Sequence, residues 1–500
     1  MSTILNVPNS TRVPKFLIIL FFVEMWERFS YYGMRSLLVL FLTSRLGYED
    51  AKAYAIYSLF AAVGYAGPVL GGFLADKLTG FRSMVLLGGI IITIGHLSLT
   101  LVELESELIY IGLALIAVGT GMFKGNITNL LGSCYKEDDP ERSRGFTLFY
   151  VGVNLGSFMA SISCSYIAYL YGWHYGFGIA GGGMILGLTI FIKFQHLLGG
   201  NGISPRPELM NKKILGLNIF TILMIASLLF ALVVARMLIS SEFFANILAL
   251  CGILILGIFI YIIVKSSPLQ RKRLTVLLIL ITFFMCFFAL EMQLGSLVNL
   301  FTQRNVVNEI LGLTIPPAAF QAINPFSIII FGSLLGAYMK FDKKYATPIF
   351  AFGISTMAIC FFILYIGCLN ANIEGKIGLL YLVSGIAFIG LGELCIGPLI
   401  QEQATLLAPK HLKGLVMGII MLFAAFANLA GILISKFMSI PSINGEVDCL
   451  ESLEIYKTGF LKIATFNLGL ALLFLPCYLF VNKVIAQTST EKVDQKRQRK

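Results

Sequence analysis

Ionisable and phenolic side chains form a regular pattern within the first long apolar segment of the chain. Glu24 is followed by Glu27 and Arg28, three and four residues later, and then by Tyr32 and Arg35. Residues at this spacing share one face of an α-helix. Burial favours a neutral carboxylic acid, whereas a nearby cation favours the carboxylate. Glu24, Glu27 and Arg28 are therefore suited to taking up and releasing protons.

This polar stripe lies where lipid would strongly disfavour it. An ionised side chain at the bilayer centre costs about 2.5 to 3.5 kcal/mol on insertion scales. The stripe must therefore face a cavity or a pairing partner. The alternative to a functional cavity is a set of static salt bridges that hold neighbouring helices together.

Single polar groups also interrupt four other apolar segments. They are Lys124, the pair Tyr150 and Asn154, the pair Glu291 and Gln293, and Glu393. Tyr150 and Asn154 are four residues apart and so share a helical face. Lys124 is too far from either end of its segment to reach the membrane surface by snorkelling. We expect Lys124 to pair with an acid or to take part in gating.

The signs of these charges differ between the two halves of the chain. The cations Arg35 and Lys124 belong to the first half, and the anions Glu291 and Glu393 belong to the second. A zwitterion between the halves would have its carboxylate attracted to one side and its ammonium to the other. This favours a peptide or an amino acid over a sugar. Salt bridges between the halves would use the same signs, and the two uses are compatible.

The composition requires a membrane environment. Of the 500 residues, 57% are hydrophobic and 13% are charged, whereas soluble proteins carry about 25% charged residues. The apolar runs 214–232 and 274–290 lack the alternation of β-barrel strands and indicate transmembrane helices. The net charge of +11 resides in short loops and in the basic tail 496–500. Basic residues in these places follow the positive-inside rule of membrane proteins, so no nucleic-acid binding is expected.

We predict an all-α polytopic membrane protein with fourteen spans. The spans are 16–43, 52–75, 83–103, 108–132, 143–170, 174–197, 214–236, 242–265, 273–300, 319–339, 346–368, 376–406, 412–438 and 457–482. Their orientation follows from the basic residues Arg12, Lys15, Lys77, Arg82, Lys136, Arg142, Arg144, Lys343, Lys344, Lys410 and Lys413. All of these lie on one side if both termini are cytoplasmic. The first segment is read as a retained span because it is longer than the apolar part of a signal peptide.

The sequence carries no metal or catalytic signature. Its nine cysteines form no C-x-x-C pair, and its four histidines, at 96, 174, 196 and 411, are scattered. We therefore expect no metal and no other cofactor. A membrane-embedded enzyme, such as a lipid-modifying transferase, usually shows clustered His and Asp residues near an interface, so no enzyme activity is expected.

Three segments form recognisable motifs. They are Glu24-x-x-Glu27-Arg28-Phe29-x-Tyr31-Tyr32-Gly33, the segment Phe149–Ser157, and Gly392-Glu393-Leu394 with Pro398. With these motifs the chain resembles the proton-dependent oligopeptide transporter family of the major facilitator superfamily, over nearly its whole length. The resemblance implies a major facilitator fold with two six-helix halves and two inserted helices. The halves would be 1–200 and 269–485, with the inserted helices in 201–268 and a basic cytoplasmic tail at 486–500.

The resemblance also implies roles for the matching residues. Arg35 and Lys124 would face the carboxylate of a bound peptide. Glu393, with Asn324, would hold its amino terminus. The other implied roles are backbone binding for Asn154, pocket shaping for Tyr32, Tyr65 and Tyr150, and proton coupling for Glu24, Glu27 and Arg28.

Span nine departs from the family pattern. Phe288 stands where many members have a tryptophan, and Met292 stands where many have an acid directly before Gln293. Glu291 and Gln293 are therefore candidate gate residues, and a salt bridge from this span to Arg35 requires Glu291 to substitute for the missing acid. These departures leave room for an atypical substrate.

The expected function is proton-coupled symport of di- and tripeptides by alternating access, with the proton gradient as the energy source. The alternative is a symporter of the same family for another small solute, such as an amino acid, nitrate or an organic anion. The expected partners are a short peptide, protons and the lipid bilayer. We expect a monomer in a cell membrane, the bacterial inner membrane.

Overall fold

A computed structural model describes most of the chain, namely residues 13–136, 139–210, 212–214, 216–310, 312–338, 345–409, 412–440 and 447–498. Several residues used above lie outside these ranges. They are Arg12, Lys343, Lys344, Lys410, His411 and the last two residues of the basic tail. The predictions made from them are therefore not addressed by the structure.

The first half of the chain forms six long helices. They are α1 (Lys15–Ser44), α2 (Asp50–Leu74), α3 (Phe81–Thr100), α4 (Leu108–Ser133), α5 (Arg142–Tyr171) and α6 (Trp173–Phe194). A π-helical turn, Ala75–Thr79, extends α2, and a 3₁₀ turn, Gln195–Leu198, extends α6. Gly80 has φ of 74°, a conformation that glycine adopts readily, and it lets the chain turn sharply into α3.

Nine further helices follow. They are α7 (Ile219–Ile239), α8 (Ser241–Lys265), α9 (Pro268–Glu291), α10 (Leu297–Asn305), α11 (Ile323–Tyr338), α12 (Ala346–Leu369), α13 (Leu379–Leu407), α14 (Lys413–Lys436) and α15 (Cys449–Gln498). Residues Pro207–Met210 form a single helical turn, and residues Met292–Gly295 and Pro317–Ala322 form 3₁₀ turns. Two short antiparallel hairpins pair β1 (Lys213–Ile214) with β2 (Leu217–Asn218) and β3 (Glu309–Ile310) with β4 (Leu313–Thr314).

The helices have the length and apolarity of membrane spans. Within the described ranges, thirteen helical segments are long and apolar enough to cross a bilayer. Helix α1 is also long enough, with 30 residues, but the charges of its polar stripe interrupt its apolar sequence. The predicted all-α architecture is confirmed, and span nine is made of α9 and α10 with a break between them.

Several predicted boundaries differ from the structure by a few residues, and two of the differences have a local explanation. Span seven was expected to begin at 214, but the hairpin β1–β2 occupies that position. Helix α7 begins at Ile219 because the Asn218 side chain accepts a hydrogen bond from the Thr221 amide at 2.8 Å, which is a helix N-cap. Helix α15 continues to Gln498, through a segment expected to be a separate tail. Gln, Glu, Lys and Arg, which are good helix formers, make up more than half of this segment.

Glycines bring α2 and α4 into close contact. A Cβ added at Gly67 would lie 2.5 Å from the Cα of Gly121, so the two backbones touch. Small residues at helix interfaces in membranes permit such close packing. This approach places Lys124, one turn beyond Gly121 on α4, beside α2.

Replacing Gly67 by Ala should destabilise the protein, because the added methyl group would overlap the α4 backbone. We expect a loss of about 1 to 3 kcal/mol, as for other overpacked interiors. Thermal unfolding of the purified protein measures this loss. The control is Gly72→Ala on the same helix, where an added Cβ meets no atom within 4 Å. Equal midpoints for the two variants would contradict the close contact.

Candidate functional site

The charged stripe of α1 is buried. Glu24, Glu27 and Arg28 are 3%, 0% and 2% exposed. The Arg28 Nε atom lies 3.2 Å from Glu24 Oε1, and Arg28 also forms an ion pair with Glu27. Glu24 Oε2 and Glu27 Oε1 have no hydrogen-bond partner among the described residues. Two acids thus share one arginine, and binding of one proton would balance their charge.

Lys124 is held by an aromatic face rather than by an acid. Its Nζ atom lies 4.0 Å from the centroid of the Tyr65 ring, a distance typical of a cation–π contact. The Tyr65 ring in turn packs edge-on against Phe288 of α9, with centroids 5.2 Å apart. In the described part of the chain, Lys124 forms no ion pair, so its ammonium protons remain available to a ligand.

Arg35 makes neutral contacts. Its Nε atom donates to the Tyr57 hydroxyl at 2.6 Å, and its Nη2 atom lies 3.5 Å from the sulfur of Met292. The guanidinium also lies over the Tyr32 ring, at 5.5 Å from its centroid. The salt bridge that required Glu291 to substitute for an acid at position 292 is therefore not formed here.

The two candidate gate residues have different surroundings. Glu291 is the last residue of α9 and is buried, and its Oε2 atom has no hydrogen-bond partner among the residues described. Gln293 lies in the 3₁₀ turn after α9, where its Oε1 atom accepts hydrogen bonds from Ser296 at 3.2 Å and from Ser435 at 2.8 Å. Gln293 thus fixes the broken helix to α14.

Glu393 and Asn324 are in contact, on α13 and α11. The Asn324 Nδ2 atom donates to Glu393 Oε2 at 3.2 Å. Gly390, one turn before Glu393, permits this approach, because a Cβ there would lie 2.8 Å from Asn324 Oδ1. The amide orients the carboxylate, and the other carboxylate oxygen forms no hydrogen bond to any described residue, so it is available to a ligand.

Tyr150 and Asn154 lie on α5, close to α1. A Cβ at Gly156 would lie 2.2 Å from the carbonyl oxygen of Met25, so α5 packs directly on the α1 backbone. Asn154 is buried and donates to the carbonyl oxygen of Tyr150 at 3.0 Å. Tyr150 is 36% exposed, so it borders open space.

The charged residues of the two halves lie around one helix, α9. Met292, directly after Glu291, contacts Arg35, and the Tyr65 ring beneath Lys124 packs against Phe288 of α9. A Cβ added at Gly392, next to Glu393, would lie 2.8 Å from the Phe287 ring of the same helix. None of these four side chains forms an ion pair with another within the described ranges. Arg35 and Lys124 of the first half and Glu291 and Glu393 of the second half thus form one central group around α9, and they are not dispersed on separate surfaces.

One strong contact between the halves was missed by the sequence analysis. Arg304, at the end of α10, binds both carboxylate oxygens of Asp50 at 2.7 Å, and the amide of Ile440 donates to Asp50 at 3.2 Å. Asp50 is only 2% exposed. At the start of α2 its sequence position is typical of an acid that stabilises a helix N-terminus, so nothing in the sequence connected it to Arg304.

Further hydrogen bonds join the halves near this ion pair. Gln303 donates to Ser44 at 3.0 Å, and Asn299 donates to the carbonyl oxygen of Ser36 at 2.8 Å. These residues lie toward the end of the bundle at which α1 connects to α2, which we call the α1–α2 end. The halves are therefore fastened together at this end.

Comparisons with a family model and with known proteins point to the same family. A family model described as the POT family matches residues 82–450. Dipeptide and tripeptide permease A of Salmonella typhimurium is 32% identical over 472 residues, covering 93% of this chain and 92% of that protein. The protein of the same name from Escherichia coli K12 is 33% identical with the same coverage.

A solved structure extends the similarity to three dimensions. It was described as giving insight into substrate recognition in proton-dependent oligopeptide transporters. It superposes with a TM-score of 0.81 at 27% sequence identity, over 94% of this chain and 99% of that one.

Proposed function

Because this chain belongs to the POT family of membrane transporters, we propose that it imports di- and tripeptides together with protons by alternating access. The observation that carries the proposal is the central group of opposite charges, with Arg35 and Lys124 from the first half and Glu393 from the second. The relatives named dipeptide and tripeptide permease support the same substrate class.

The geometry supports one orientation of the peptide. Its carboxylate lies toward Arg35 and Lys124, whose donors are not taken up by acids. Its ammonium lies toward Glu393, which Asn324 orients. Charge-assisted hydrogen bonds of this kind are about twice as strong as neutral ones, so both termini of a short peptide contribute to binding. Asn154 binds the peptide backbone, and the other walls of the site are the aromatic rings of Tyr32, Tyr65 and Tyr150.

Proton coupling is assigned to the cluster of Glu24, Glu27 and Arg28. Two buried carboxylates compete for one guanidinium, and each has an oxygen without a partner among the described residues. When either acid binds a proton, its ion pair with Arg28 is lost, and Arg28 then pairs with the other acid alone. No further cofactor is needed, because the membrane supplies about 2.3 kcal/mol per charge for each 100 mV of potential.

The orientation follows from the basic loops. Both termini lie in the cytoplasm of a bacterial inner membrane, and the α1–α2 end faces outward. The fastened α1–α2 end then corresponds to a conformation that is closed to the outside. The functional unit is a monomer, because the central group is built from one chain.

Transport of another small solute is the second candidate. Met292 and Phe288 depart from the family pattern in span nine, and Arg35 contacts the sulfur of Met292 where an acid is common. An amino acid or organic anion would still find Arg35 and Lys124, but an anion without an amine would not use Glu393.

Proton influx into liposomes that contain only this protein tests the function. With an interior-negative potential and a pH-sensitive dye inside, dialanine should drive acidification of the lumen. N-acetyl-dialanine should do so much less, because it lacks the ammonium that Glu393 binds. Single amino acids and nitrate are tested in parallel. Acidification by one of these solutes but by no peptide would overturn the peptide assignment.

A further inference from the structure

The two inserted helices are held by different parts of the protein. Helix α7 packs on α4 of the first half. Its buried residues Ser227, Ala231, Val234 and Leu238 are spaced as one helical face, and the Ser227 hydroxyl lies 3.6 Å from the sulfur of Met122 on α4. Helix α7 is thus fixed to the first half.

Helix α8 reaches the second half. It lies against α2 of the first half and α14 of the second. A Cβ added at Gly252 would lie 3.0 Å from ring atoms of Phe426 on α14, so the glycine seats the aromatic ring. Phe259 and Ile263, on the same side of α8, are buried. The opposite side, with Ile253, Leu254 and Ile258, is at least 60% exposed and suits contact with lipid.

The contact between Gly252 and Phe426 is at the middle of both helices, Ser241–Lys265 and Lys413–Lys436. When two halves rock around a site at the midplane, the ends of the helices move most and their middles move least. A contact at the middle is therefore one that both conformations are able to keep.

We propose that α7 and α8 form a lateral strap between the two halves. Helix α7 anchors the strap to α4, and α8 crosses the seam between α2 and α14 and pivots on Phe426 as the halves rock. The strap keeps lipid out of this seam at mid-membrane. It does not block the movement of the ends of α2 and α14. The proposal rests on the alternating access proposed above.

Cross-linking tests the pivot directly. In a cysteine-free background that transports, Gly252→Cys and Phe426→Cys are combined and oxidised with copper phenanthroline in proteoliposomes. The pair should cross-link, and uptake should stay within about twofold of the parent, because the contact persists through the cycle. The matched pair, Ser44→Cys with Gln303→Cys, joins the halves at the α1–α2 end. Its cross-link should stop uptake, and reduction should restore it.

The outcomes separate the strap from the function. Uptake by the cysteine-free parent reports on the proposed transport, whereas the difference between the two cross-linked pairs reports on the strap. Failure of the cysteines introduced at positions 252 and 426 to cross-link, or loss of uptake once they do, would overturn the strap.

Substitutions that change the side-chain volume at the contact between Gly252 and Phe426 test the pivot independently. Gly252→Leu should reduce uptake by pushing α8 away from Phe426, and adding Phe426→Ala should restore it. Gly257→Leu, on the same helix at a position where a Cβ meets no atom within 4 Å, should leave uptake unchanged. Equal effects of the two leucines, or no rescue by Phe426→Ala, would count against the pivot.

Discussion

Replacing Glu24 or Glu27 by Gln is expected to abolish proton-driven accumulation of peptide while peptide exchange across the membrane continues. The amide keeps the size of the carboxyl group but cannot bind or release a proton. Arg28 then has a single charged partner and no longer switches between two. Accumulation against a gradient and exchange between equal peptide concentrations are measured in the same proteoliposomes.

The control for these variants is Glu105→Gln, in the exposed loop between α3 and α4, which should accumulate peptide normally. Lys124→Ala is a useful comparison, because it should also lose driven uptake but through the site that faces the peptide carboxylate. Undiminished concentrative uptake by both Glu24→Gln and Glu27→Gln would refute the coupling role of the cluster.

Breaking the ion pair between Asp50 and Arg304 should give the second large effect. Removing one partner of a buried pair costs about 3 to 5 kcal/mol, and here the two side chains are only 3% and 14% exposed. The pair joins the halves at the α1–α2 end, so Asp50→Asn should shift the protein away from the conformation fastened there. We expect uptake to fall about tenfold or more, since each 1.4 kcal/mol is a factor of ten in a population.

A charge exchange distinguishes gating from misfolding. The double variant with Asp50→Arg and Arg304→Asp should recover part of the uptake that either single change removes. Spin labels at the exposed Leu104 and Ile373 report the separation of the halves at this end. The control is Glu103→Gln, which breaks a pair with His174 at 2.8 Å within the first half. If Glu103→Gln changes the distance between the two labels as much as Asp50→Asn does, the ion pair between Asp50 and Arg304 is not a gate.

The sequence predicts helices well where a pattern is local. Long apolar segments indicated the spans, because a helix forms all the hydrogen bonds of its backbone within one segment, which the bilayer interior requires. The spacing of Glu24, Glu27 and Arg28 placed them on one face, and the structure has them in contact. Their coupling role remains a prediction, as do the substrate-binding roles of the other site residues.

Contacts between distant segments were beyond the sequence. Asp50 and Arg304 are separated by 254 residues, and only the packing of the two halves brings them together. The same holds for Arg35, whose salt bridge to span nine depended on Glu291 but which lies against Met292. The break after α9 determines that contact, and periodicity alone does not reveal where a helix is interrupted.

The position of that break has a consequence for Arg35. Helix α9 ends at Glu291, and a helix carries roughly half a negative charge at its carboxyl end from its aligned peptide dipoles. Met292, which caps this end, contacts both Arg35 and the Tyr57 hydroxyl. The guanidinium therefore lies beside the negative end of an aligned backbone dipole, which favours its positive charge. Peptide groups do not titrate, so in this conformation that contribution does not change with pH.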